Sequence, residues 1–464
     1  MMQEERITHY YSALQKRGEI YKLIGKVDDA LKDHDHIISH CKESDKAHWK
    51  FRIDAIISYS NTLCEHKSDY SNALKYANMA IEKTKNTEDA ESYGLALKTA
   101  GIIFLRKGDY DRSLKYFQQA ISILEKINNT EMLGPMYNEM GLLYRNKGEL
   151  DKALEYFNKF LFIMKKYDNK VQVGVALANI GAIYWRKGKL DKALDFMKRS
   201  LKIGEEIHAI QSIGKISNDI GLIYLGKGKP DQAVKYFERF LSISNEIGFR
   251  EGIAIASVNI GIIYAQREDY KTALRYFKNY LSISEEIGYT KGIGIGCMNI
   301  GHLYLYLSDL KSAEKYLKRS IKIFEKSESL IQLSEAYQVF SELNSLRKRY
   351  PEALAFAEKA LGASRQASAK ANEINSLIAI AKAAVVFDPE RSIKSIKEAM
   401  GIAQKEGLDV LHGECIAEFT RIMMKLNKKK EAEDHLIEAG RIFKEADAKS
   451  LLKAVEKQLR EIRK

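Results

Sequence analysis

The sequence predicts an all-α protein built as an α-solenoid, with about eleven helical hairpins and a C-terminal capping helix. The first observation is a 40-residue period carried by six glycines: Gly101, Gly141, Gly181, Gly221, Gly261 and Gly301. The second is that each period holds two amphipathic stretches at helical spacing, separated by a short polar turn. The third is composition, because four prolines in 464 residues and abundant Ala, Leu, Lys and Glu favour helix. A period of this length is typical of stacked helical repeats.

The first helix of each period, helix A, carries the glycine and an aromatic residue three positions later. The aromatic residues are Phe104, Tyr144, Tyr184, Tyr224, Tyr264 and Tyr304. Because glycine has no side chain, we expect the ring to lie beside it and a neighbouring backbone to come close.

The second helix, helix B, places a small residue four positions before a large one. The small residues are Ser113, Ala153, Ala193, Ala233, Ala273 and Ala313, and the large ones are Phe117, Phe157, Met197, Phe237, Phe277 and Leu317. We expect the small residue to let helices A and B approach and the large one to fill the space beneath. Acids suited to the positive end of the helix dipole stand near the start of helix B, at Asp111, Asp151, Asp191 and Asp231. Helix B is predicted to end at residues that tolerate the left-handed conformation, His208 least well: Asn128, Asp168, His208, Gly248 and Gly288.

Weaker copies of the pattern extend to both ends of the chain. The first copy is marked by Gly18, Tyr21, Ala30 and His34, and the second copy is marked by Asn61, Cys64, Ala73 and Ala77. The ninth copy is marked by Ala353 and Ala357, the tenth by Ser392 and the eleventh by Ala432. The predicted organisation is degenerate repeats over residues 1–90, a regular array over 91–330, degenerate repeats over 331–447 and a capping helix over 448–464. A cap is expected because an open stack of repeats leaves its last apolar face uncovered.

With Gly, Tyr, Ala and Phe in this order and spacing, the chain resembles the tetratricopeptide repeat family over nearly its full length. The 40-residue unit is similar to the long-repeat subclass found in Pins-type adaptors, kinesin light chains and Rap-type regulators. The usual Trp of helix A is absent, since that place holds Tyr137, Leu177, Ser217, Ser257 and Cys297. The resemblance implies a right-handed superhelix whose A helices line a concave groove that holds a peptide or a partner helix.

By the family's pattern, groove positions fall six and three residues before the glycine and one, four and five after it. In the central repeats they include Val175, Ala178, Ala182, Trp185, Arg186, Lys215, Asn218, Leu222, Leu225, Ile255, Val258, Ile262, Ile295, Met298, His302 and Leu305. Lys98, Arg106 and Arg145 form a basic flank. The mostly apolar set predicts a partner segment with apolar anchors and some acidic character. The alternative is that these side chains fill a narrow superhelix with their own packing.

The predicted function is a non-catalytic protein-interaction scaffold, with a regulatory arm of a kinase, cyclase or protease as the alternative. A net charge of +13, from 75 Lys and Arg against 62 Asp and Glu, permits attraction to nucleic acid. Nucleic-acid binding is disfavoured because the groove positions are apolar and carry no paired polar code.

Three further patterns could carry chemistry. His34, His36 and His40 are metal-ligand types, but a metal site is disfavoured because His34 occupies a packing position and no HExxH is present. Gly292, Gly294 and Gly296 fail the dinucleotide GxGxxG spacing and favour either close helix packing or a local hinge. Asn179, Asn259 and Asn299 stand two residues before the glycine, where they bond either to a bound peptide or, as we favour, to backbone in an adjacent turn. We therefore expect no cofactor, no metal and no catalytic residue.

The chain is expected to be cytoplasmic. Its four cysteines are far apart and form no CxxC, which fits reduced thiols. The charged N-terminus lacks the apolar core of a signal peptide, and no apolar stretch is long enough to span a membrane.

Overall fold

The computed structural model describes residues 2–23, 26–41, 48–426, 428–445 and 449–462. The chain forms two compact units, Met1–Ala209 (unit 1) and Ile210–Lys464 (unit 2). Across these described ranges there are 23 α-helices and no β-strand.

In unit 1, odd-numbered helices are A helices and even-numbered helices are B helices. They are α1 Met2–Leu23, α2 Val27–His40, α3 Trp49–Thr62, α4 Tyr70–Thr84, α5 Ala90–Arg106, α6 Tyr110–Lys126, α7 Thr130–Lys147, α8 Leu150–Lys166, α9 Lys170–Arg186 and α10 Leu190–Glu206. A short π-helical segment, Leu63–Lys67, extends α3.

Unit 2 continues the same alternation and adds one last helix. Its helices are α11 Ile210–Gly226, α12 Pro230–Glu246, α13 Arg250–Gln266, α14 Tyr270–Glu286, α15 Thr290–Tyr306, α16 Leu310–Lys326, α17 Leu330–Leu346, α18 Tyr350–Gln366, α19 Lys370–Ala384, α20 Pro389–Lys405, α21 Asp409–Lys425, α22 Lys429–Glu445 and α23 Lys449–Ile462. The eleven predicted hairpins and the capping helix are therefore confirmed; residues 448, 463 and 464 of the predicted cap lie outside the described residues.

The glycine of helix A makes room for the large residue of helix B. A Cβ atom placed on Gly141 would lie 2.5 Å from the ring of Phe157, and Gly221 has the same relation to Phe237. The prediction that the glycine makes room for the aromatic residue of helix A is wrong, because the space beside the glycine is filled by the large residue of helix B. Tyr144 instead stacks on Tyr156 of helix B, with ring centroids 5.4 Å apart.

The small position of helix B lies against the backbone of helix A, as predicted. Ala153 and its equivalents are fully buried. Ser113, the one hydroxyl in the regular set, donates a hydrogen bond from Oγ to the carbonyl oxygen of Gly101 at 2.8 Å. The same contact recurs in the ninth hairpin with the partners reversed, where Ser341 on helix A donates to the carbonyl of Ala353.

Turns of one kind join all the regular helices. From Gly108 to Ser368, a residue with positive φ recurs every 20 residues. This confirms the predicted ends of helix B, including Asn128 at φ 55° and His208 at φ 52°. The recurrence explains the constant length, because each helix ends where the chain enters the left-handed region.

The acids near the start of helix B also connect successive hairpins. Asp111 pairs with Lys147, Asp151 with Lys187 and Asp231 with Arg267, each 36 residues further on. A side-chain cap of helix B, where one is present, comes from a residue two positions earlier than this acid: in α6, Asp109 accepts a hydrogen bond from the amide of Arg112 at 3.1 Å, whereas the residues at this place in α8, α10 and α12 make no such bond among the described residues.

The first hairpin carries a histidine in the packing place of the phenylalanine. His34 is fully buried against Gly18, and neither ring nitrogen has a hydrogen-bond partner among the described residues. Burial lowers the pKa of His34, so the neutral ring is favoured.

Candidate functional site

In unit 1, the predicted groove positions lie on α9, and the predicted basic flank lies on α5 and α7. Val175 and Trp185 are each 41% exposed, Arg186 is exposed, and Ala178 and Ala182 are half-buried. Two places of the flank recur on α9: Lys98 and Ala178 each stand three residues before the glycine, and Arg106 and Arg186 each stand five residues after it.

The basic flank of unit 1 has few acidic neighbours. Arg106, Arg145 and Arg186 form no ion pair with any carboxylate in the described part of the chain. Burial, with a smaller contribution from the charge of Arg186, lowers the pKa of Arg145. Glu139 is the acid that faces this flank; burial raises its pKa, and Lys98 and Arg106 oppose the rise. The face retains an excess of positive charge.

The recurring asparagines connect neighbouring A helices. Asn179 donates from Nδ2 to Oδ1 of Asn138 at 2.8 Å in unit 1, and Asn259 donates to Asn218 at 3.1 Å in unit 2. These two asparagines are structural, as favoured, but their partners are side chains 41 residues earlier rather than the backbone of a turn. Asp219 stands at the same place in the sixth repeat, and burial raises its pKa to about 6.

In unit 2, the predicted positions differ in exposure. Ile255 and Ile262 are 42% and 39% exposed, and Lys215 is exposed. The half-buried positions are Asn218, Leu222, Leu225, Val258, Ile295, Met298 and His302. Leu305 is only 5% exposed, because its side chain packs into the core with Leu333 and Tyr337.

Two clefts open on the A-helix face of unit 2. The first, of about 400 Å³, lies between α13 and α15, with the start of α14 at its edge. Its walls are Ile262, Ala265, Gln266, Glu268, Tyr270, Phe277, Asn299, His302, Leu303 and Tyr306. The second, also about 400 Å³, is bounded by α15, α17 and α19. It is lined by His302, Tyr306, Gln338, Val339, Ser341, Glu342, Ser345, Asn375, Ile378, Ala379 and Lys382.

His302 and Tyr306 belong to both clefts and form the wall between them. The ring of Tyr306 is 54% exposed and stacks on Tyr270, with centroids 5.4 Å apart and planes at 10°. His302 lies 5.2 Å from Tyr306 and pairs with Glu342 at 3.4 Å. Because they share this wall, we treat the two clefts as one surface and call it the unit 2 groove. We call His302 and Tyr306, which separate the clefts, the aromatic partition.

A third cavity, of about 270 Å³, lies where α19, α21 and α23 meet. Glu418 is one of its lining residues; its carboxylate accepts a hydrogen bond from Arg421 at 2.7 Å and lies 3.7 Å from the ammonium group of Lys382. The apolar side of α23 contributes Leu451 and Val455 to its wall. The capping helix thus closes this end of the A-helix row.

The sequence prediction missed the groove residues of the last three hairpins. In these hairpins Ser341, Ala381 and Thr420 stand in the place of the glycine. Seven cavity-lining residues lie six or three positions before these residues, or one position after them: Gln338, Glu342, Asn375, Ile378, Lys382, Glu414 and Arg421. These are the same register positions as in the regular repeats. The register therefore extends to these hairpins, but it is difficult to recognise in the sequence because Ser, Ala or Thr stands in the place of the glycine.

The other chemical patterns have packing explanations. His36 stacks on His40 with centroids 4.0 Å apart, whereas His34 points into the core, and the described residues contain no group of three metal ligands. A Cβ atom on Gly294 would lie 2.5 Å from the ring of Phe324, so the glycine-rich start of α15 serves close packing. None of the helices in the described part of the chain combines the length and apolar character needed to cross a bilayer.

Two family models described as tetratricopeptide repeat match the chain. One matches residues 133–206, 212–286 and 295–366, and the other residues 96–130. Together they cover more than half of the 464 residues. No curated protein matches the chain.

Solved structures with the same helical architecture are similar to this chain at low identity. The apo form of the quorum sensor NprR from B. thuringiensis is 17% identical over 75% of this chain and 98% of its own, with a TM-score of 0.54. Aspartyl phosphate phosphatase F from Bacillus subtilis is 15% identical over 76% and 93%, with a TM-score of 0.51. The apo form of RapI is 19% identical over 59% and 99%, also with a TM-score of 0.51.

These likenesses show the fold. The helical hairpins, the packing of glycine against the large residue of helix B and the two family matches lead to one assignment. The chain belongs to the tetratricopeptide repeat family.

Proposed function

We propose that this protein is a non-catalytic interaction scaffold of the cytoplasm that binds a peptide segment of a partner protein on its A helices. The unit 2 groove carries the proposal. It combines apolar side chains, namely the exposed Ile262 and the half-buried Ile378, with amide side chains that suit a peptide backbone, namely Asn299 and Asn375. Pockets of mixed apolar and amide lining are typical binding sites.

The family membership supports the same function, since tetratricopeptide repeat proteins commonly hold peptides or partner helices on this face. The exposure of Ile255 and Ile262 argues against the alternative that the apolar positions are filled by the protein's own packing. Exposed apolar side chains grouped on one face usually mark an interaction surface.

The predicted acidic character of the partner is proposed for unit 1. There, Arg106, Arg145 and Arg186 lie in successive repeats without a carboxylate partner among the described residues. Trp185, on the same helix as Arg186, is exposed and offers an apolar contact on this face. An acidic segment with an apolar anchor matches this face.

The proposal is tested by selecting 12-residue peptides from a random library on the full chain and measuring their affinity by fluorescence anisotropy. Val339→Asp combined with Ile378→Asp is expected to weaken groove-bound peptides by at least about tenfold, because a charge would replace an apolar contact. Ile323→Asp combined with Leu361→Asp is the matched control, since these two side chains are half-buried against the same two apolar clusters, lie on the B helices α16 and α18, and line none of the three cavities described above.

Unchanged peptide affinity in the double variant, with helix content retained by circular dichroism, would remove the unit 2 groove from the proposal. Recovery of one stoichiometric kinase, cyclase or protease as the cellular partner would instead identify a regulatory arm of an enzyme. Several unrelated partners would support a general scaffold.

A further inference from the structure

The first cleft of the unit 2 groove has an unusual lining for so basic a protein. The chain contains 75 Lys and Arg, yet neither residue type occurs among the ten residues that line this cleft. Its charged or titratable members are Glu268, Tyr270, His302 and Tyr306. The cleft therefore differs in chemistry from the basic flank of unit 1.

The carboxylate of Glu268 is available to a ligand. Glu268 is exposed and forms no ion pair within the described residues. Its two neighbours in sequence are engaged elsewhere: Arg267 pairs with Asp231 at 2.6 Å, and Asp269 accepts a hydrogen bond from the amide of Thr272 and caps α14. Nε2 of His302 lies 3.4 Å from the carboxylate of Glu342, which would neutralise a positive charge on the histidine.

The aromatic partition supplies a face for a cation. Tyr306 is 54% exposed, and its parallel stacking on Tyr270 holds the ring in one orientation. A tyrosine face attracts an ammonium or guanidinium group within about 6 Å of its centroid. The amide oxygens of Gln266 and Asn299 add hydrogen-bond acceptors to the same cleft.

We infer that the first cleft of the unit 2 groove is a subsite for a Lys or Arg side chain of the bound peptide. The aliphatic stem would lie on Ile262, Ala265 and Leu303, with the cationic head at Tyr306 and Glu268. Long basic side chains pack in this manner, with an apolar stem and a polar head. This inference rests on the proposed function and names the chemistry of one position in the ligand.

The test uses the peptides selected on the full chain. Each peptide that loses affinity in the Val339→Asp and Ile378→Asp variant is resynthesised with its Lys or Arg residues replaced singly by norleucine. We expect one replacement to weaken binding by about tenfold, since a cation on an aromatic face near a carboxylate contributes this much when partly desolvated. The same norleucine replacement in the peptide is then measured against two single variants of the protein, Glu268→Gln and Tyr306→Leu. Against each of them it is expected to change the affinity less than about threefold.

Matched controls are available in the same unit. Glu328 occupies the equivalent left-handed position of another turn, at φ 51°, and Tyr289 is a 45% exposed tyrosine outside the three cavities. Glu328→Gln and Tyr289→Leu are expected to leave the full effect of norleucine intact.

Groove-dependent peptides that bind equally well with norleucine at every basic position would overturn the inference and leave the proposed function standing. An effect of norleucine that is undiminished in Glu268→Gln and Tyr306→Leu would overturn it as well. A library that yields no groove-dependent peptide would overturn the proposed function itself.

Discussion

At the scale of single residues, glycine has two opposite roles in this chain. A Cβ atom on Gly141 would lie 2.5 Å from Phe157, whereas one on Gly362 of α18 would meet nothing within 4 Å. The first glycine is required by packing. The second only lowers the helix propensity of an exposed position.

The same substitution should therefore have opposite effects at these two positions. We expect Gly141→Ala to reduce the free energy of unfolding by about 1–3 kcal/mol through overpacking. Gly362→Ala should raise it by about 0.5–1 kcal/mol, because alanine is the better helix former. Urea denaturation followed by circular dichroism measures both. Equal effects of the two substitutions would contradict the packing role of Gly141.

Asp219 gives a prediction with a pH dependence. Burial raises its pKa to about 6 from an ordinary 3.8, against a weak hydrogen bond from Asn218 at 3.5 Å. The folded state thus binds more protons than the unfolded state between these values, and this group lowers the unfolding free energy as the pH rises from about 4 to 7.

Asp219→Asn is expected to stabilise unit 2 at pH 7 by an amount on the order of 2 kcal/mol, and to have little effect below pH 4. Asparagine already occupies this place at Asn259 and Asn299, so its shape is compatible with the fold. Denaturation of both proteins between pH 4 and 7.5 provides the measurement. A difference that does not change with pH would mean that the carboxylate is not the cause.

The sequence register reaches the candidate site wherever a position can be counted from a glycine. Two predicted groove positions, Ile262 and His302, line the first cleft. The register did not foresee that Leu305 is buried, because position within a helix does not specify how far the next hairpin covers it. It also did not find Gln338 or Lys382, whose repeats lack the glycine.

At the scale of elements, helix length is set by the left-handed residues that recur every 20 positions. Four hairpin turns use glycine there, at Gly108, Gly148, Gly188 and Gly228. Later hairpins have Glu268, Ser308 and Lys348 in the same conformation. A residue other than Gly, Asn or Asp adopts this left-handed conformation at a cost of about 1 kcal/mol.

Exchanging glycine and non-glycine residues between these turns should therefore shift stability in opposite directions. Lys348→Gly is expected to raise the free energy of unfolding by about 0.5–1 kcal/mol, and Gly228→Ala to lower it by about 1 kcal/mol. Packing does not contribute at Gly228, because a Cβ atom there meets nothing within 4 Å. Thermal and urea unfolding measure both; stabilisation by Gly228→Ala would refute the conformational explanation.

At the scale of the whole molecule, a repeat array must cover its last apolar face. Val455 of α23 is 2% exposed and packs with Ile416, Leu436 and Phe443. The neighbouring Lys457 on the same helix is exposed. The cap is thus an apolar seal on α21 and α22, with charged residues outside.

Val455→Asp is expected to detach the cap, because burial of an unpaired carboxylate costs several kcal/mol. Faster amide hydrogen exchange in α21 and α22, and self-association in sedimentation velocity, would report the exposed face. Lys457→Asp introduces the same side chain at an exposed position and should change neither. Unaltered exchange in Val455→Asp would show that α23 is not needed as a seal.

The sequence by itself determined the repeat, its 40-residue period, the eleven hairpins, the cap and the ends of helix B. These depend on local features, namely helical periodicity, small residues and left-handed turn residues, which can be read directly along the chain. Only the tertiary structure decided what fills the space beside each glycine, which side chains pair across hairpins and which groove positions remain open. Those outcomes depend on contacts between residues 12 to 41 positions apart, such as Ser113 with Gly101 and Asn179 with Asn138, and on how closely each hairpin packs on the next.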